Sequence, residues 1–173
     1  MIIFLDISVA NCDDDTVSVL LGKDKINFRK SATYTVGISS ASAVVSGDFN
    51  NDMKIDLAVS DKWSKTINAL RGYGNGSFKT VWHCNIGDKP HDMMTVDFNN
   101  DIYLDLIIAN YLTNTVGVLL GNESETFQLQ KKYSTGYKPL SIIFGDLNND
   151  RKGDLVVTNS ISQDLSVFLN VYQ

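Results

Sequence analysis

The stretch DFNNDMKIDL, residues 48–57, recurs twice along the chain, as DFNNDIYLDL at 97–106 and as DLNNDRKGDL at 146–155. Each copy places oxygen-bearing side chains at positions 1, 3, 5 and 9 of a short polar run, and a β-forming apolar segment starts at its end. The copies begin 49 residues apart. A fixed period of that length marks stacked supersecondary units.

Outward from these runs the same beat continues. DLAVSD starts at Asp56, DLIIAN at Asp105 and DLVVTN at Asp154, and DISVAN from Asp6 fits the same slot. A second apolar segment follows: TVSVLLG ending at Gly22, TINALRG at Gly72, TVGVLLG at Gly121, and LSVFLN near the end, without the glycine. Phe28, Phe78 and Phe127 open a third, more polar segment that closes at Gly37, Gly87 and Gly136. A fourth, SAVVSGD, DMMTVD or SIIFGD, leads into the next acidic run. One inserted residue before Asp48 makes the first interval 50 instead of 49.

The alternation of apolar and polar residues, punctuated by Gly, Asn and Asp, predicts four short strands per unit, with no competing helical periodicity. Repeated four-stranded units predict an all-β chain, a β-propeller of four-stranded blades in a partial or open array of about three and a half repeats. The boundaries are a partial repeat at 1–47, repeats at 48–96 and 97–145, and a partial repeat at 146–173. LIIA and LVV are apolar at consecutive positions, which predicts burial on both faces. FQLQKKYSTG is polar at most positions and predicts an edge strand, where lysines discourage unwanted pairing.

Composition limits the function. The 173 residues are 43% hydrophobic and 20% charged with only two prolines, which suits one soluble globular domain with a real core. The net charge is −5, yet the three runs hold nine of the 20 acidic residues, so the remainder is +4. Concentrated acid and no basic stripe argue against nucleic acid as a partner. No apolar run approaches the roughly 20 residues that span a bilayer, and no membrane insertion is expected. The start, MIIFLDISVANCDDD, has no basic lead and an early Asp6, and does not read as a secretory leader. Cys12 and Cys84 fit two buried free thiols or a single disulfide.

Oxygens at positions 1, 3, 5 and 9, completed by a main-chain carbonyl at position 7, can converge on a hard cation when the backbone loops around it. Position 1 is Asp48, Asp97 or Asp146, and position 3 is Asn50, Asn99 or Asn148. Position 5 is Asp52, Asp101 or Asp150, and position 9 is Asp56, Asp105 or Asp154. Lys54, Tyr103 and Lys152 would offer only their carbonyls. Flexible oxygen coordination fits Ca²⁺ better than octahedral Mg²⁺, and zinc would want His or Cys. Without a metal, the same Asp and Asn side chains would cap their own turn.

With these motifs in view, the whole chain resembles the FG-GAP or VCBS repeat family, which builds the propeller of integrin α subunits and of many secreted or surface proteins. The resemblance implies that the pattern D-x-D/N-x-D-G-x-x-D lies between the first and second strands of a blade and binds Ca²⁺, up to three ions here, in a structural role. It implies a blade order of SIIFGD, DLVVTN, LSVFLN and a polar outer strand. The chain then opens with a blade lacking its innermost strand and ends with one lacking its outermost. Position 6, glycine in the family, is Met53, Ile102 and Arg151. If that position needs positive φ, a side chain costs about 1–2 kcal/mol, and β-branched Ile102 is the worst of the three.

His83 and His91 have no Ser, Cys or acid partner at a catalytic spacing, and no enzyme is expected. Trp63 and Trp82 read as packing residues, with a sugar site as the other role. Asn75 in NGS and Asn122 in NES are glycosylation acceptors in matching turns if the chain is secreted. The expected function is a non-catalytic calcium-binding module for extracellular or cell-surface protein or glycan binding and adhesion. The alternative is a scaffold or lectin-like part of a larger carbohydrate-active protein, with metal-free loops.

Overall fold

The computed structural model describes residues 5–24, 27–35, 40–86, 88–124, 126–128 and 131–170. Gly37 and Gly87, expected to close third segments, lie outside these residues. Fourteen strands and no helix are found among the described residues. They are β1 (Ile7–Asn11), β2 (Thr16–Gly22), β3 (Phe28–Thr35), β4 (Ala41–Gly47), β5 (Asp56–Asp61), β6 (Thr66–Gly72) and β7 (Phe78–Asn85). Then follow β8 (Pro90–Val96), β9 (Asp105–Asn110), β10 (Thr115–Leu119), β11 (Lys131–Ser134), β12 (Pro139–Gly145), β13 (Asp154–Asn159) and β14 (Asp164–Phe168).

Consecutive strands pair antiparallel into four sheets, in the orders β1-β2-β3, β4-β5-β6-β7, β8-β9-β10-β11 and β12-β13-β14. The two middle sheets have four strands and the terminal ones three, as the repeat phasing implies. The expected segments become these strands with one shift: β11 starts at Lys131, so buried Phe127 precedes its strand, whereas Phe28 and Phe78 open theirs. Polar β3, β7 and β11 all lie at sheet edges.

Two local devices repeat with the sheets. The strand pairs β1–β2, β5–β6, β9–β10 and β13–β14 are each joined by a four-residue turn whose last residue is left-handed: Asp15, Lys65, Asn114 and Gln163, at φ of 55–59°. The pairs Asn11↔Thr16, Asp61↔Thr66, Asn110↔Thr115 and Asn159↔Asp164 close all four turns in the same register. A bulge also shifts the first strand of three sheets, between Ala41 and Ala43, Pro90 and Asp92, and Pro139 and Ser141. Each bulge leaves one residue unpaired, disrupts the ladder locally and re-aims the side chains beside it.

The strands form two compact units, Met1–Gly87 and Asp88–Gln173, each holding two sheets. In the first, Val17 and Val19 of β2 pack with Leu57 and Val59 of β5, Ala41 and Leu70. Tyr34 meets Phe78 edge-on at 5.6 Å, and its hydroxyl donates to the Gly76 carbonyl at 2.7 Å. In the second unit, Ile107, Ala109, Val116 and Val118 pack with Ile142, Leu155 and Val157. All six residues of β5 and of β9 are buried, as consecutive apolar positions predict. β13 departs from that expectation: Val156 is half-buried and Thr158 exposed, because no further sheet follows it among the described residues.

Candidate metal-binding loops

Each acidic run becomes the loop between the first two strands of its sheet: β4 to β5, β8 to β9 and β12 to β13. The backbone turns back by placing two residues in the left-handed region. Position 6 is one of them, with Met53 at φ 63°, Ile102 at 75° and Arg151 at 66°. Position 4 is the other, with Asn51 at 57°, Asn100 at 60° and Asn149 at 63°. Asparagine tolerates this conformation and a β-branched residue does not. Hence the glycine expected at position 6 is missing where it would relieve most strain.

The side chains at positions 1, 3 and 5 bind the backbone they enclose. In the first loop Asp48 accepts N–H bonds from Asp52 at 3.0 Å and Met53 at 2.7 Å. Asn50 Oδ1 accepts from Asp52 N at 2.9 Å, and Asp52 Oδ1 from Lys54 N at 2.9 Å. The second loop repeats this set around Asp97, Asn99 and Asp101, and the third around Asp146, Asn148 and Asp150. Lys54 Nζ, 3.1 Å from Asp52 Oδ2, holds that carboxyl below the usual carboxylate range. Asn99 and Asn148 instead donate their amides to Asp101 and Asp150.

Position 9 has a different role, which the sequence reading missed. Asp56, Asp105 and Asp154 are at most 2% exposed. One oxygen accepts the N–H of position 2 (Phe49, Phe98 or Leu147, at 2.8–3.1 Å), and the other reaches 16 residues ahead to Gly72, Gly121 or Asn170, at 2.7–2.8 Å. Asp6 makes the same bond to Gly22 N at 2.8 Å. The clue was an Asp-to-Gly spacing of 16, present at 6/22, 56/72 and 105/121. Glycine is required at 72 and 121, since a Cβ would strike the carbonyl oxygen of Ile55 or Leu104. In the fourth copy Asn170 replaces it and sends its amide to the Phe98 carbonyl at 3.0 Å.

A carboxylate has about four lone-pair sites, so those at positions 1, 5 and 9 retain acceptor capacity beyond these bonds. Burial pushes the Asp105 carboxyl up to about 6 against two backbone N–H bonds, and the charges of Asp97 and Asp101 push the same way. Three anions thus share a loop that a cation would neutralise. As they stand, no three His, Cys, Asp or Glu side chains converge on one point among the described residues. Cation binding would need the acidic side chains to turn inward from their backbone partners.

Against this geometry the family comparison is decisive: the FG-GAP-like repeat profile matches residues 48–108 and 97–157, more than half of the chain. The chain belongs to the FG-GAP-like repeat family. No curated protein sequence matches it. Among solved structures it is similar to BBS1N in complex with ARL6DN, in a mercury-soaked crystal at 13% identity and TM-score 0.68 and a lead-soaked one at 12% and 0.67. Each match covers 97% of this chain and 44% of the solved chain, so the FG-GAP-like chain spans less than half of those relatives' length.

The other candidates take plainer places in this FG-GAP-like array. His83 is exposed, and His91, also exposed, stacks on Tyr111 at 5.6 Å. Trp63, expected to pack, is instead 64% exposed beneath Lys62, while Trp82 is half-buried. Cys12 and Cys84 are free thiols, but half-buried and not buried as expected, because each lies near a turn. Asn75 is exposed and Asn122 half-buried, each accepting the N–H of the serine two residues on, at 2.8–2.9 Å. Sequence reasoning did not single out Asp61 and Asp88, both buried, which cap the turns after β5 and β9 through backbone N–H groups.

Proposed function

We propose that this chain is a non-catalytic, propeller-type binding module whose three acidic loops each take up one structural Ca²⁺. The observation carrying the metal is the threefold loop itself: strained Met53, Ile102 and Arg151 are held left-handed beside three carboxylates in each loop, and in the second loop burial, with the charges of Asp101 and Asp97, pushes the Asp105 carboxyl up. Asp48, Asn50, Asp52 and Asp56, and their counterparts in the other two loops, would supply the oxygens, with the position 7 carbonyls. A protein is the favoured partner class over a glycan, because the structurally similar BBS1N is in complex with another protein. Exposed Asn75 in its sequon fits an extracellular or cell-surface setting.

Thermal unfolding in EDTA, in millimolar Ca²⁺ and in Mg²⁺ tests the metal. A cation that binds only the folded state stabilises it by about 2.7 kcal/mol per site at a hundredfold its dissociation constant. A shift specific to Ca²⁺, lost stepwise as Asp48, Asp97 and Asp146 are replaced by alanine, is the expected result. Equal melting in all three conditions would leave the self-capped turn as the working state of these loops, and the module as a metal-free scaffold.

A further inference from the structure

The loop that joins β6 to β7 reads YGNGS, residues 73–77, and holds the single Asn-Gly dipeptide of the sequence, Asn75-Gly76. Tyr73 N–H donates to the Ser77 carbonyl at 3.0 Å and closes the loop, with Gly74 and Gly76 left-handed at φ of 74° and 83°. Asn75 is exposed between them. Its Oδ1 accepts two bonds from Ser77, from the backbone N–H at 2.9 Å and from the hydroxyl at 2.6 Å. Two donors on one amide oxygen draw electron density from Cγ and stabilise an oxyanion formed there. The next backbone nitrogen belongs to a glycine, which has no side chain to obstruct its approach to that carbon.

We propose that Asn75 is a self-modifying site, which loses its side-chain amide through attack by the Gly76 nitrogen. That nitrogen gives up its proton and bonds to Asn75 Cγ. The Cγ–Nδ2 bond breaks, and Nδ2 leaves as ammonia with one proton returned by solvent. The product is a five-membered succinimide, which water opens at either carbonyl to give aspartate or an isoaspartate whose main chain runs through Cβ and Cγ. The nitrogen that leaves is the one a glycan would occupy in the NGS sequon, so glycosylation and this reaction exclude one another. Isoaspartate also lengthens the backbone by one carbon just ahead of Gly76, whose carbonyl accepts the Tyr34 hydroxyl at 2.7 Å. Tyr34 packs edge-on against Phe78, so the change loosens a contact between β3 and β7. Asn122 serves as the internal control. Its Oδ1 is likewise doubly bonded, by Ser124 N–H at 2.8 Å and the Thr126 hydroxyl at 3.1 Å. Yet Glu123 follows it, and its Nδ2 donates to the Thr126 hydroxyl at 3.0 Å.

The full chain, produced in a host that adds no glycan, is kept folded at mildly alkaline pH beside a urea-unfolded sample. Peptide mass spectrometry reads each amide that becomes an acid, and an isoaspartyl methyltransferase labels isoaspartate alone. Asn75 is expected to convert in the folded chain while Asn122 keeps its amide. Ser77→Ala preserves the dipeptide and should slow conversion about fivefold, the rate equivalent of one ordinary hydrogen bond. The isoaspartate fraction should melt below Asn75→Asp, which carries the same charge on a backbone of normal length. An Asn75 that stays intact in the folded chain over the time in which the unfolded chain converts would overturn the proposal. So would a Ser77→Ala rate equal to that of wild type, and equal melting of the two acidic forms would overturn the loosened contact.

Discussion

Ile102 sits at φ 75° with 71% of its surface in solvent, so its side chain adds strain and little packing. Glycine there relieves about 1–2 kcal/mol of steric cost and gives back part of it through the looser unfolded chain. Ile102→Gly should therefore stabilise the metal-free protein by about 1 kcal/mol in urea unfolding, and unbranched Met53→Gly by less. An Ile102→Gly protein no more stable than wild type would show that the loop relaxes without glycine. Asp105 belongs to the same scale. Its folded-state carboxyl lies near 6, above its ordinary 3.8, mainly because of burial. The folded protein then holds a proton between these values that the unfolded chain has released. This contribution to stability is full below the unfolded value and is lost as pH rises through the folded one. In EDTA, the melting temperature of wild type relative to Asp105→Asn should climb as pH falls from 7 to 4. A difference that stays flat or narrows would contradict the assignment.

Among the elements, the aspartate that opens β5, β9 and β13 staples the loop before it to the end of the strand after it. Removing it from β13 orphans two backbone N–H groups, those of Leu147 and Asn170, the latter buried. Asp154→Ala is expected to cost about 3 kcal/mol or more in urea unfolding. Asp6→Ala loses the exposed bond to Gly22, with no second bond of this kind among the described residues, and should cost about 1 kcal/mol. Similar losses at both sites would argue that buried N–H groups find other partners. The strands themselves were legible in the sequence because period-2 patterning and Gly/Asn/Asp punctuation are local signals. The staple was not, because it joins residues 16 apart across a hairpin and its aspartate already fitted a metal-ligand pattern. Position 4 escaped for another reason: asparagine enters the left-handed region with so little strain that nothing in Asn51, Asn100 or Asn149 announces it. Trp63 was misjudged because a large aromatic side chain implies packing, whereas its turn projects it beyond the end of the sheet.

Over the whole molecule, the 49-residue period announced about three and a half repeats of one sheet, but not how burial would be shared among them. Equivalent strands carry nearly equivalent sequences: DLIIAN in β9 is buried at all six positions, and DLVVTN in β13 exposes Thr158. Composition cannot report that difference, since Thr158 lies on the face of β13 that no further sheet covers among the described residues. Local stability should follow the neighbours instead, because opening a strand is cheapest where few apolar contacts are lost. Native-state hydrogen exchange should show β1 and β14, where Ile7, Val9, Leu165 and Val167 face solvent, exchanging faster than β5 and β9. The acidic loops give the sharper contrast, since the N–H groups of Asp52 and Asp101 are held by their own loops' side chains and not by a ladder. Ca²⁺ should slow exchange at those amides and leave β14 unchanged, and loop amides that exchange equally fast with and without Ca²⁺ would contradict metal uptake there.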